Sequence, residues 1–96
     1  MSAPASAALD PRRKRIRFRC WHRGMREMDL IMGQFADAQI AALDDTQLDD
    51  FELLIEVPDR DVLGWLTGEF ETPGNYDTAV FRMVRDFHTH MSPIHI

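Results

Sequence analysis

Met28, Ile31, Met32, Phe35 and Gln39 recur at i, i+3, i+4, i+7 and i+11. That period is the signature of a helix with one buried face. It predicts a helix from Met25 to about Ala42, with Gly33 and Gln34 off the inner face. Nowhere does the chain alternate apolar and polar residues with a period of two. No Asn-Gly or Asp-Gly pair marks a hairpin. A chain patterned this way folds from helices.

The other elements follow from their punctuation. Asp10-Pro11 reads as a helix start, with Asp as N-cap and Pro in the first turn. The helix runs from Arg12 to His22, with Ile16 and Cys20 on one buried stripe and Phe18 and Trp21 on a neighbouring face. Gly24 ends it, and the next helix starts at once, making an αα corner. Asp44 with Gln47 three residues later fits a capping box. The third helix carries Leu48, Phe51, Leu54 and Ile55 inward and Asp49, Asp50, Glu52 and Glu56 outward, and Pro58 closes it. A fourth begins at Asp59, packs Val62, Trp65 and Leu66, and stops at Gly68. Glu69 to Asn75 is a loop. A fifth runs from about Tyr76 to His88, with Tyr76, Val80, Met83, Val84 and Phe87 inward. The expected fold is all-α: a compact five-helix bundle with short connections over residues 11–90, between tails at 1–10 and 91–96.

Ninety-six residues, nearly half of them apolar, suit one core. The single cysteine cannot form an internal disulfide, which suits a reducing compartment. No apolar run is long enough to span a membrane. Met1 to Leu9 lacks the continuous apolar core of a secretory signal and is read as a short disordered tail. Net charge is −5, but eight of the eleven basic residues lie between Arg12 and Arg26. From Glu27 to Asp59 every charged residue is acidic. Such asymmetry favours oriented association with a charged partner.

Reacting groups are scarce. There is no phosphate loop and no dinucleotide fingerprint. Ser2, Ser6 and Ser92 fall in the expected tails. Cys20 has arginines around it that could lower its pKa, but its place on the Ile16 stripe reads as buried and structural. His88, His90 and His95 lack ligand spacing on one helical face and are read as a polar, frayed end. The acidic run Asp44–Glu56 lacks a calcium-loop pattern and reads as a solvated face.

Three partners could use the basic helix. Nucleic acid would meet its arginines, with Phe18 and Trp21 stacking on bases, yet the domain as a whole is acidic. An acidic lipid surface would need a larger free apolar face. A protein partner stays open beside the plainer reading that the arginines pair with the chain's own carboxylates, for about 0–1 kcal/mol each when exposed. At the corner, Arg23 lies at a helix C-terminus and Glu27 in a helix first turn, each favoured there by the macrodipole. They either pair and fix the corner or present it as a recognition knob.

Arg23-Gly24-Met25-Arg26-Glu27 resembles the Arg-Gly-x-x-Glu motif of the SdhE family, the succinate dehydrogenase assembly factors, known as assembly factor 2 in mitochondria. A basic helix precedes it, and Asp29 and Phe35 follow at the family's spacing. Phe51-Glu52-Leu53-Leu54 then comes before Asp59-Arg60-Asp61-Val62-Leu63-Gly64-Trp65-Leu66, which is similar to the family's Asp-x-Asp-Leu-x-x-Trp segment. Val62 stands where Leu is more usual. The resemblance covers roughly Arg12 to Phe87.

This resemblance implies a five-helix assembly chaperone rather than an enzyme. Such a factor promotes covalent attachment of FAD to a histidine of the succinate dehydrogenase flavoprotein subunit and, in some bacteria, of fumarate reductase. It implies that activity depends on Arg23, Gly24 and Glu27. The expected partner-binding set is Arg19, Arg23, Gly24, Met25, Arg26, Glu27 and Asp29, with no catalytic residue and no metal. Gly24→Arg is expected to leave the fold largely intact and abolish partner binding. The remaining expectations are a monomer in the bacterial cytoplasm, with the mitochondrial matrix as the alternative, and no stably bound cofactor. A small nucleic-acid-associated regulator is the second reading, and a free flavin carrier, which would be yellow, the third.

Overall fold

The computed structural model describes residues 9–91, and their side chains as far as His88. The described residues form five α-helices: α1 Pro11–Trp21, α2 Arg26–Gln39, α3 Asp45–Ile55, α4 Asp59–Thr67 and α5 Ala79–Met91. Short 3-10 turns lie at Ile40–Ala42 and Gly74–Tyr76. No strand occurs among the described residues. These residues divide into two compact units between Leu43 and Asp44.

In the first unit, Asp10 caps α1 as the sequence predicts, its carboxylate accepting the Arg13 N–H at 2.9 Å. Helix α1 packs on α2. Ile16 and Cys20 on α1, and Met28, Ile31, Met32, Phe35 and Ala36 on α2, are buried. Full burial of an apolar side chain of this size contributes about 1.5–3 kcal/mol.

Two details depart from the sequence reading. Helix α2 stops at Gln39, and the chain tightens into the 3-10 turn rather than continuing to Ala42. Carbonyls freed there need donors, and the Arg13 guanidinium supplies them: Nε donates to the Ile40 carbonyl at 3.0 Å and Nη2 to that of Leu43 at 2.5 Å. Gly33, expected off the inner face, is buried. A Cβ built on it would overlap the Trp21 indole, so the bare helix surface there is the seat of that ring.

The second unit opens on the predicted capping box. The Gln47 N–H donates to Asp44 Oδ1 at 2.8 Å, and the Asp44 N–H donates to Gln47 Oε1 at 2.9 Å. Leu48, Phe51, Leu54 and Ile55 are buried, as their spacing requires. Pro58 stands at the N-cap of α4, and α3 has already ended at Ile55. Gly68 ends α4 with φ +83°. Trp65, expected inside, is only half-buried; its ring stacks on Tyr76 at 5.2 Å and meets Phe81 edge-on at 6.5 Å.

Helix α5 begins three residues later than the sequence suggests. Tyr76 belongs to the preceding 3-10 turn, and Thr78 provides the first-turn bond, its Oγ1 accepting the Phe81 N–H at 3.2 Å. The inward stripe is Val80, Phe81, Val84 and His88, while Tyr76, Met83 and Phe87 are half-buried. The sequence reading therefore missed Phe81 and misplaced His88, which is 3% exposed and not part of a polar tail. The helix passes His90 and reaches Met91, so the expected end at His88 is corrected too. Of the tails expected at 1–10 and 91–96, residues 1–8 and 92–96, with His95, lie outside the described residues. Leu9 is buried, Asp10 caps α1 and Met91 closes α5, so these three are not tail.

Candidate functional site

The corner between α1 and α2 is four residues long. Helix α1 ends at Trp21, and the His22 N–H closes it by donating to the Arg19 carbonyl at 3.2 Å. Gly24 follows with φ +100°, a region that residues with a Cβ rarely enter. No atom lies within 4 Å of where its Cβ would be. The glycine is therefore required by backbone conformation, not by crowding. That modifies the expectation for Gly24→Arg, since any side chain there strains the turn.

Met25 is the N-cap of α2 and offers no side-chain bond to the open helix end. Its carbonyl accepts the Asp29 N–H at 2.9 Å. The Asp29 carboxylate then reaches back across the turn, where Oδ1 accepts the Arg23 N–H at 2.5 Å. Asp29 thus locks the corner, a role that one of the two sequence readings gave to an Arg23–Glu27 pair. Both Glu27 and Asp29 sit in the first turn of α2, where the helix dipole favours a carboxylate.

One turn therefore gathers Arg23, Gly24, Met25, Arg26, Glu27 and Asp29. Arg23, Met25 and Asp29 are half-buried, whereas Gly24, Arg26 and Glu27 are exposed. Arg19 stands exposed in the last turn of α1, just before this corner. All seven expected partner-binding residues lie in the first unit, between Arg19 and Asp29. The arrangement offers guanidinium donors, a carboxylate acceptor and a stretch of bare backbone at Gly24, which suits recognition more than bond-making chemistry.

Cys20, near the end of α1, is fully buried. Burial pushes its thiol up to about 12, overcoming the opposing pull of Arg23 and Arg19. The thiol is buried and held in its protonated form, which fits the structural role read from the Ile16 stripe rather than an arginine-activated nucleophile. No cluster of three or more metal-ligating residues occurs among the described residues. No helix among them is long and apolar enough to cross a membrane.

The basic residues of α1 do not all act alike. Arg13 is spent within its own unit, on Asp10 Oδ2 at 3.0 Å and the two carbonyls beyond α2. Lys14 and Arg17 instead line an open groove with Phe18, Trp21, His22 and, from α2, Asp37. Sequence reasoning singled out Phe18 and Trp21 but not this groove. The i, i+4 pair Phe18 and His22, whose rings stack at 3.9 Å, was the signal available.

A family model described as "flavinator of succinate dehydrogenase" matches residues 14–88. The chain is 35% identical over 77 residues to the mitochondrial succinate dehydrogenase assembly factor 2 of Dictyostelium discoideum, covering 80% of this chain and 55% of that protein. It is 36% identical over 86 residues to the FAD assembly factor SdhE of Acetobacter pasteurianus, covering 88% and 79% respectively. The mitochondrial assembly factor 2 of Danio rerio is 33% identical over 85 residues, covering 86% and 54%. The chain thus spans about half the length of these mitochondrial relatives. No solved structure matches it.

Proposed function

The chain belongs to the family of flavinators of succinate dehydrogenase, and from that premise we propose that it binds the flavoprotein subunit of succinate dehydrogenase and promotes covalent FAD attachment there. The observation that carries this reading is the family match across residues 14–88, which contains the whole corner. The corner's chemistry agrees with it. Covalent attachment needs the flavin and its acceptor side chain held in near-attack geometry, and a factor that orders the flavoprotein accelerates the step without a reacting group of its own.

In this reading Arg19, Arg23, Met25, Arg26, Glu27 and Asp29 form the docking surface, and Gly24 lets the partner approach its backbone closely. Arg23 and Glu27 make charge-assisted bonds to the partner, and the other arginines of α1, Arg13 apart, steer encounter. The factor acts as an assembly chaperone, not an enzyme, and as a monomer that keeps no cofactor of its own. Fumarate reductase is a second client of the same surface. The Acetobacter relative, matched over 88% of this chain, favours the bacterial cytoplasm over the mitochondrial matrix.

The test is covalent flavin fluorescence of the denatured flavoprotein band. Apo flavoprotein and FAD are incubated with this protein, with its Glu27→Ala variant, and alone. Faster labelling with the unaltered protein than with Glu27→Ala or without a factor is the expected result. Equal labelling in all three would overturn the reading.

A further inference from the structure

The first unit carries a groove that takes no part in the corner's own hydrogen bonds. It measures about 690 Å³ and is lined by Lys14, Arg17, Phe18, Trp21, His22 and Asp37. Lys14, Arg17, Phe18 and Trp21 on α1, with His22 at its C-cap, stand at i, i+3, i+4, i+7 and i+8, so one helical face presents them in a row. Phe18 is 62% exposed, unusual for so large an apolar ring, and it forms a shelf stacked against His22. The shelf is held in place. His22 Nδ1 lies 2.7 Å from the Phe18 carbonyl, which can only accept, so Nδ1 carries the proton and Nε2 is left for a ligand. The Trp21 Nε1–H donates to Asp37 Oδ1 at 3.1 Å. That bond fixes the indole and leaves Oδ2 as an acceptor at the groove's edge.

We propose that this groove is a second docking site, which receives an extended acidic segment of the flavoprotein client. The proposal rests on the assembly reading above and adds to it the chemistry of what is bound. Lys14 and Arg17 match carboxylates, and Phe18 with His22 offers a face for an aromatic or aliphatic side chain. With a neutral imidazole, His22 Nε2 joins Asp37 Oδ2 as an acceptor for peptide N–H groups. A phosphate backbone has no N–H to give them and would meet the Asp37 charge, so the mixed lining favours protein over nucleic acid. From Lys14 to His22 the helix rises about 12 Å, the span of about four residues of extended chain. His22 is followed directly by Arg23, so the groove runs on into the corner and one client can occupy both.

The experiment titrates purified apo flavoprotein subunit against the full chain, the double variant Lys14→Glu/Arg17→Glu, and Phe18→Ala. Circular dichroism of each variant confirms that the helices are intact. The expected result is a loss of affinity of about tenfold or more in the double variant, with a weaker dependence on salt. A photo-crosslinker placed by Phe18→p-benzoylphenylalanine is expected to capture an acidic segment of the flavoprotein. Affinity unchanged in both variants would overturn the groove and leave the assembly reading standing. Capture of a second copy of this chain, or displacement of the client by a single-stranded oligonucleotide at the groove, would also overturn it. Failure of the unaltered protein both to bind the flavoprotein and to speed its labelling would sink the assembly reading, and the groove proposal with it.

Discussion

The Arg23 N–H and the Asp29 carboxylate close the corner with a hydrogen bond of 2.5 Å that spans six residues of chain. A bond from a backbone donor to a charged acceptor contributes about 1.5–3 kcal/mol when its partner would otherwise go unsatisfied. Asp29→Ala is expected to lower stability by about that amount. Asp29→Asn keeps an acceptor oxygen without the charge and should lose less. Urea denaturation of the three proteins checks this order. Flavin labelling should fall in the same order, since a loosened corner presents Arg23 and Glu27 less rigidly.

Gly24 separates strain from bulk. With φ +100° and no neighbour within 4 Å, a methyl group there meets a conformational penalty and no clash. Gly24→Ala and Gly24→Arg should each cost about 1–2 kcal/mol in urea denaturation, because both adopt the same unfavourable backbone. Only the arginine adds bulk toward a partner. Labelling by Gly24→Ala is therefore expected to survive at temperatures where that variant is folded, and labelling by Gly24→Arg to be lost. Equal labelling by the two would remove the corner from the interface.

Gly33→Ala tests the seat of Trp21. Alanine improves helix propensity by about 1 kcal/mol, yet its Cβ overlaps the indole. Overpacking of this kind costs about 1–3 kcal/mol. A net loss of about 1 kcal/mol is the expected outcome. If the ring swings out instead, it gives up its bond to Asp37, and its emission shifts to the red. A Trp65→Phe background isolates that signal, since only two tryptophans are present.

Cys20 should resist alkylation while the protein is folded. Its thiol titrates at about 12 in the fold against an ordinary value of 9.0. A raised folded pKa means that the stabilisation is complete below the unfolded value and is lost as pH rises from 9.0 toward about 12. Iodoacetamide at about pH 8 is expected to label the protein only in denaturant. The thermal midpoint should decline as pH passes above 9.0. Rapid labelling of the native protein would contradict the buried thiol.

The helices were legible because their signals are local. Asp10, Asp44 and Gly68 each announce an end by their own chemistry, and the Met28–Phe35 spacing sets a face without reference to anything else. What was not legible depended on pairs far apart in sequence. Gly33 looks like an off-face residue until Trp21 lies over it. Phe81 and His88 were misjudged because the stripe was phased from Tyr76, which lies in the 3-10 turn before α5; the buried face is the one through Val80, Phe81, Val84 and His88. The corner's position was plain from Gly24. Its lock was not, since Asp29 reaches back by a side-chain bond to a backbone group that no spacing rule encodes. The groove was hidden for the same reason: Asp37 joins it from another helix.

Arg13 also has a kinetic consequence. By holding Asp10 at one end and the carbonyls of Ile40 and Leu43 at the other, a single side chain fastens the two ends of the first unit. The segment between those anchors is a closed loop of chain whose ends do not fray independently. Amide exchange in the first turn of α1 and in the turn after α2 should then report one shared opening event rather than two. The corner lies in the middle of that loop, so a partner pulling on it loads the clasp at both ends at once.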